Sequence, residues 1–155
     1  MVRKIIAALI LLAMLSTLNA MPNTIVEKEL VWKKCNDKLP MPNVQSNVPI
    51  PGKNVTVTIS GEVPDKSAQY KWSFSYINLK GEFITYSYKG ATVSLCQDST
   101  HYTVTGTAKV SDKVAAYERY NFVIRVRSEA DEKHEKPTYV ACATALVVQK
   151  TLPPN

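Results

Sequence analysis

The residues of this chain that could carry catalytic or metal chemistry are few and widely spaced. It contains two histidines, His101 and His134, and three cysteines. No Gly-x-Ser-x-Gly elbow, phosphate-binding glycine loop or zinc-ligand spacing is present. His134 lies in the charged run 128–137, where a solvated side chain is expected. His101 begins a strand, where a surface position or a hydrogen-bonded edge is favoured over acid–base work. We therefore predict no enzyme, no catalytic residues, no metal and no cofactor.

The three cysteines indicate a structural disulfide. Three is an odd count for a chain that is expected to be secreted, so one pair should be oxidised and one thiol left over. A bridge between Cys35 and Cys142 would close a loop of roughly a hundred residues, which stabilises by about 4–5 kcal/mol in the chain-entropy model. The sequence alone does not choose among the pairings.

The first twenty residues are typical of a secretory signal peptide and not of a fold. Arg3 and Lys4 give a basic start, residues 5–15 form an apolar run, and Ala20 offers a small residue at the cleavage point. The apolar run is too short for a membrane span. We predict a signal peptide over residues 1–20, one domain over residues 21–155, and a location outside the cell or in the endolysosomal lumen.

The net charge of +6 comes from scattered basic residues and not from a basic run. Such a spread usually reflects a solvated surface, and attraction to an anionic membrane surface is the functional alternative. No nucleic-acid-binding motif appears, so we predict no nucleic-acid partner. We expect a monomer, with contact to a membrane surface or a receptor left open.

Period-two alternation of apolar residues marks the strands that must form the fold. The run 102–110 alternates apolar or small residues with three threonines and a lysine, and the run 120–126 shows a similar pattern. Because successive side chains of a strand point to opposite faces, one set must face a core. In the first run, the set predicted to face inwards is Tyr102, Val104, Ala108 and Val110, and the set predicted to face solvent is Thr103, Thr105, Thr107 and Lys109.

Several other segments repeat this pattern between turn signals. Residues 22–35 are expected to contain a first strand, alternation predicts strands near residues 55–59, 70–76 and 84–88, and a run rich in valine and small residues predicts a last strand over 139–149. Four prolines make residues 36–52 an extended loop or an edge connection. The linker 111–119 has room for one helical turn. Short strands at regular spacing, without a convincing helix, predict an all-β fold built as a two-sheet sandwich.

Asn54-Val55-Thr56 is an N-glycosylation sequon. Thr56 points outward if Val55 and Val57 point inward, which makes the site accessible. We predict glycosylation at Asn54.

The inward-facing residues have two interpretations. A sandwich needs apolar inner faces simply to fold. Small residues at Gly106 and Ala108, and alanines in the last strand, are either ordinary interdigitation or the sign of a void between splayed sheets. An apolar void admits an apolar guest.

Three segments resemble the ML lipid-recognition domain family, to which secreted sterol carriers and the mite group 2 allergens belong. They are Val31–Cys35, the stretch from Cys96 to Val110, and the run Tyr139–Ala145 around Cys142. The resemblance implies an immunoglobulin-like sandwich whose sheets part to hold a lipid, with a Cys35–Cys142 bridge. The family's small bridged loop ahead of Cys96 has no partner cysteine here, so Cys96 should be a free thiol or pair between molecules.

We therefore predict a secreted lipid-binding or lipid-transfer protein that holds a sterol, fatty acid or phospholipid between two sheets. The resemblance places Val110 and Tyr86 at the pocket mouth. The alternative is a secreted immunoglobulin-like adhesion or recognition module with a filled core and a protein partner. A secreted hydrolase is the weakest candidate, because no nucleophile–base pair is evident. The predicted cavity lining is Trp72, Phe74, Tyr86, Tyr102, Val104, Val110, Tyr120, Phe122 and Ile124.

Overall fold

Strands run through every segment in which the sequence alternates. A computed structural model describes residues 24–26, 30–96, 99–129 and 138–151; the predicted signal peptide and the segment with His134 lie outside these ranges. A short 3₁₀ helix, Asp112–Ala116, occupies the linker that has room for one helical turn. The strands are β1 (Thr24–Val26), β2 (Trp32–Lys34), β3 (Asn43–Ser46), β4 (Asn54–Glu62), β5 (Tyr70–Asn78), β6 (Phe83–Thr92), β7 (His101–Lys109), β8 (Arg119–Ser128) and β9 (Tyr139–Thr151).

The described residues between 26 and 149 form one compact unit. In this unit, the strands make two sheets. The larger sheet has the order β2–β9–β8–β5–β6, and the smaller sheet has the order β3–β4–β7. All the pairs within these two sheets are antiparallel. The prediction of an all-β, immunoglobulin-like two-sheet sandwich is confirmed. Across the described ranges, no helix is long and apolar enough to cross a bilayer.

The smaller sheet follows the predicted alternation. Val55, Val57 and Ile59 of β4 are fully buried. On the outward face, threonine hydroxyls of β4 and β7 pair across the strands, with Thr56 Oγ1 2.8 Å from Thr107 Oγ1. Along β7 and the residue that follows it, Tyr102 and Val110 are buried and Val104 and Ala108 are half-buried, while the three threonines and Lys109 are exposed. The predicted register of β7 is therefore confirmed.

The proline-rich segment also behaves as the prolines require. Strand β3 lies between Pro42 and Pro49 and pairs on one side with β4, so it is an edge strand of the smaller sheet. Proline lacks the donor that a central strand needs, which keeps this segment at the edge. After β7, the Ser111 hydroxyl accepts a hydrogen bond from the Lys113 backbone N–H at 3.3 Å and so caps the 3₁₀ helix, which buries Val114.

One disulfide joins β9 to the residue that follows β2. Cys35 is bonded to Cys142, with Cα atoms 5.6 Å apart, and Cys96 is an exposed free thiol. The predicted bridge is confirmed.

Candidate functional site

The inner face of the larger sheet carries most of the aromatic side chains of the interior. Register places Phe74 of β5 opposite Ile124 of β8, and Tyr76 opposite Phe122. Because alternate side chains of a strand point to opposite faces, these four side chains share the face that is turned towards the smaller sheet. The Tyr76 and Phe122 rings stack at 5.3 Å between centroids, and Phe74 meets Phe122 edge-on at 5.7 Å. Such geometries are favoured for aromatic pairs.

The structure brings together eight of the nine residues predicted to line a cavity. Seven of them belong to one buried core cluster, and Val104 packs against that cluster while half-buried. Their rings and side chains contact one another, which is compatible with a filled core and with a cavity that is closed. A cavity between the sheets therefore stays a prediction. The seven are Trp72, Phe74, Tyr102, Val110, Tyr120, Phe122 and Ile124.

Tyr86 is the exception, and the inward position predicted for it is wrong. Phe74 pairs with Tyr88, but the next residue, Ser75, pairs with Tyr86, so Ser87 is an extra residue in β6. Such a β-bulge reverses the alternation of faces. Tyr86 therefore lies on the outer face of the larger sheet, where it is 45% exposed and its ring contacts Phe83.

Tyr88 occupies the inner position that alternation assigned to both tyrosines. Its ring stacks on Phe74 at 5.3 Å and lies 4.9 Å from the ring of Trp72. The predicted set of lining residues omitted it. Nothing in the local sequence locates the bulge that separates Tyr88 from Tyr86.

Gly106 of β7 faces these two aromatic rings directly. A Cβ atom at Gly106 would lie 2.9 Å from atoms of both Trp72 and Tyr88. The absence of a side chain lets rings of the larger sheet approach the backbone of the smaller one. The small residue at this position is thus matched by large partners, and it does not border a void.

Tyrosine hydroxyls are among the polar groups of the interior. The Tyr120 hydroxyl donates to the Pro49 carbonyl oxygen at 3.0 Å, whereas the buried Tyr102 hydroxyl has no hydrogen-bond partner in the part of the chain that the structure describes. Burial disfavours the phenolate and raises the pKa of Tyr102 to about 12, and it raises the pKa of Tyr120 to about 12 as well. Both side chains are therefore neutral at pH 7.

The edges of the two sheets meet along one side of the sandwich, where β6 faces β7. We call this contact the β6–β7 seam. The two strands belong to different sheets, and the Ser87 hydroxyl donates to the Lys109 carbonyl oxygen at 3.3 Å across the contact. The apolar side chains of the seam are only partly buried. They are Ile84, Tyr88, Ala91, Val104 and Ala108.

A serine, a histidine and a glutamate form a hydrogen-bonded chain at the start of β7. Ser99 Oγ lies 2.9 Å from His101 Nδ1, and His101 Nε2 lies 2.6 Å from Glu62 Oε1. The structure thus contains a nucleophile–base contact that the sequence did not reveal. The His101 and Glu62 side chains are 63% and 65% exposed, however, and they are direct cross-strand partners. Pairs of this kind stabilise a sheet, and nothing excludes water from this one.

Two further groups complete the placement of the predicted sites. Asn54 and Thr56 are both exposed, so the sequon is accessible and glycosylation stays a prediction. In the described ranges, no group of three or more His, Cys, Asp or Glu residues is placed to hold a metal ion.

Comparison with known proteins finds similarity among solved structures but not among family models or curated proteins. No family model matches the chain, and no curated protein matches it in sequence. Among solved structures, it is similar to chicken MD-1 complexed with lipid IVa, with a TM-score of 0.46 and 14% sequence identity. The similarity covers 85% of this chain and 99% of that chain.

Proposed function

We propose that this chain is a secreted lipid-binding protein that holds a sterol or an acyl chain between its two sheets and does no covalent chemistry. The observation that carries the proposal is the β6–β7 seam. Two edge strands of different sheets face each other there without a shared ladder of backbone hydrogen bonds, the Tyr88 ring of one packs on Gly106 of the other, and the neighbouring apolar side chains are half-buried. A seam of this kind can part without breaking either sheet.

The guest would enter by displacing the rings of Tyr88 and Trp72 from Gly106. These rings rest on a glycine, so no side chain of β7 interlocks with them at that point. Removal of apolar guest surface from water drives binding at about 25 cal/mol per Å², before the unfavourable terms of association. The Tyr102 hydroxyl, which lacks a partner in the described residues, offers a hydrogen bond to the polar end of the guest.

A second candidate is a recognition module with a filled core and a protein partner. One observation favours it: the rings that would line the cavity already contact one another, as Trp72, Phe74 and Tyr88 do. A core at this packing density needs no guest.

Lipid content separates the two candidates. We expect organic extraction of the purified protein, followed by mass spectrometry, to release a lipid in stoichiometric amount. Delipidated protein should then bind a fluorescent sterol or a fluorescent fatty acid saturably, with one guest per chain. A protein that carries no lipid and binds neither probe would support the recognition module instead.

A further inference from the structure

Several positively charged side chains lie close together on the outer face of the larger sheet. Lys71 of β5 and Arg127 of β8 are direct cross-strand partners, and Arg125 lies opposite Ser73 on the same face. Like charges placed directly opposite each other destabilise a sheet. Lys71 forms an ion pair with Glu129. The register thus brings the cationic side chains of Lys71, Arg125 and Arg127 together on this face.

A small pocket lies among these cations, on the face turned away from the interior. Its volume is about 130 Å³, which is room for about four waters at roughly 30 Å³ each and far too little for a sterol. We call it the outer-face pocket. Its lining residues are Lys71, Trp72, Ser73, Tyr86, Lys89, Gly90, Arg125, Arg127 and Tyr139.

The cations of the outer-face pocket are held in place by their neighbours. Arg125 Nη1 donates to the Ser75 hydroxyl at 3.3 Å, and its guanidinium carbon lies 5.4 Å from the centre of the Tyr139 ring. Lys89 Nζ lies 5.8 Å from the centre of the Tyr86 ring. Contacts of this type orient a cation without neutralising it. The β6 bulge turns Tyr86 towards this pocket, where its ring lies beside Lys89.

We propose that the outer-face pocket binds a phosphate monoester group. Two guanidinium and two ammonium groups line a space that matches a small tetrahedral anion, and the contacts of Arg125 and Lys89 leave their charges available to it. Arginine forks match phosphate oxygens in pairs, and charge-assisted hydrogen bonds of this kind are the strong ones. The group is either free in solution or the headgroup of a phospholipid. This site is separate from the proposed lipid site between the sheets and does not depend on it.

Titration with inorganic phosphate at constant ionic strength tests the proposal on the purified full chain. We expect saturable binding by calorimetry, weakened at least tenfold in Arg125→Gln and several-fold in Lys89→Gln. The matched control is Lys109→Gln, which removes the same charge from an exposed position of β7 and should bind within twofold of the wild type. Lys89 is exposed, so Lys89→Gln remains informative even where Arg125→Gln fails to fold.

Vesicles identify the source of the phosphate. Neutral phosphatidylcholine vesicles that contain phosphatidic acid present a monoester, and those that contain phosphatidylglycerol present a diester of similar lipid character. Binding to the phosphatidic acid vesicles that Lys89→Gln weakens would support a headgroup, and binding to inorganic phosphate alone would support a free ligand. The proposal is overturned by the absence of saturable phosphate binding, or by Lys109→Gln weakening binding as much as Lys89→Gln.

Discussion

Tyr102 and Tyr120 are both buried, yet their hydroxyls have different surroundings. Alternation predicts from sequence that both rings face inwards, and both do. The hydroxyl partner of Tyr120 is the carbonyl of Pro49, 71 residues away in the chain. A pattern of local periodicity reports the face of a side chain but carries no information on such a distant contact. The chemistry of each hydroxyl was therefore beyond sequence reasoning, although the placement of each ring was not.

Removal of the two hydroxyls should affect the free energy of unfolding differently. We expect Tyr120→Phe to lower the free energy of unfolding by about 1 kcal/mol, because a buried hydrogen bond is lost. Tyr102→Phe should leave stability unchanged or raise it, because it removes a buried polar atom that has no partner in the described residues. Urea denaturation of both variants measures the difference. An equal loss in Tyr102→Phe would mean that its hydroxyl is paired.

The same tyrosines should make the protein sensitive to alkali. The pKa of Tyr102 is raised from 10.0 to about 12 by burial, and that of Tyr120 likewise. The unfolded chain therefore loses these protons first, so the stabilisation is complete below pH 10 and falls as the pH rises towards 12. Each tyrosine contributes a slope of up to about 1.4 kcal/mol per pH unit in that window. Denaturation across this range should show a shallower decline in each Tyr→Phe variant, and an unchanged slope would contradict the argument.

Because His101 and its hydrogen-bond partner Glu62 are exposed to water, we expect His101 to have no catalytic activity. We expect the rate of hydrolysis of an activated ester to be the same for the wild-type protein and His101→Gln, and close to that of buffer. Exposure of His101 and Glu62 gives this Ser–His–Glu chain none of the water-excluded electrostatic stabilisation that acyl transfer needs. A wild-type rate well above that of His101→Gln would revive the hydrolase hypothesis.

Strand β6 shows where periodicity stops being informative. Alternation places β5, β7 and β8 correctly, because their faces are set by burial on one side along their whole length. Strand β6 is at the edge of its sheet and contains register shifts against β5. Bulges are common at sheet edges, and each one inserts a residue that moves the following side chains to the other face. The predicted inward positions are therefore right on the regular strands and wrong at Tyr86, and a cavity among these residues stays a prediction.

Two tyrosines of β6 provide a matched pair that tests this assignment. Tyr88→Ala should lower the free energy of unfolding by about 3–5 kcal/mol, because it removes a ring that packs on Phe74 and Trp72. Tyr86→Ala, two residues away on the outer face, should change it by roughly 0.5 kcal/mol or less. Thermal or urea unfolding of both variants checks the ratio. Equal losses would mean that the Tyr86 ring packs in the interior as the Tyr88 ring does.

At the scale of the whole molecule, the sheets and the bridge were predictable but the state of the interior was not. Short alternating strands define a two-sheet sandwich, and the Cys35–Cys142 bridge followed from family resemblance. A cavity and a filled core need the same apolar inner faces, so the sequence pattern does not distinguish them. In the structure, the rings of Tyr88 and Trp72 pack against Gly106. A guest between the sheets must therefore first displace these rings.

That displacement predicts how a guest should affect stability. If the rings close the lipid site, the binding-competent state is a minor one, and apparent affinity is reduced by its population. Tyr88→Ala removes one of the two rings, so it should bind a fluorescent sterol or fatty acid more tightly than the wild type although it is less stable without the guest. A guest at a hundred times its Kd should then raise the free energy of unfolding by about 2.7 kcal/mol. Parallel melting and titration of the wild type, Tyr88→Ala and Tyr86→Ala measure both quantities. A Tyr88→Ala variant that is destabilised but neither binds nor is stabilised by either guest would show that the ring belongs to a permanently filled core.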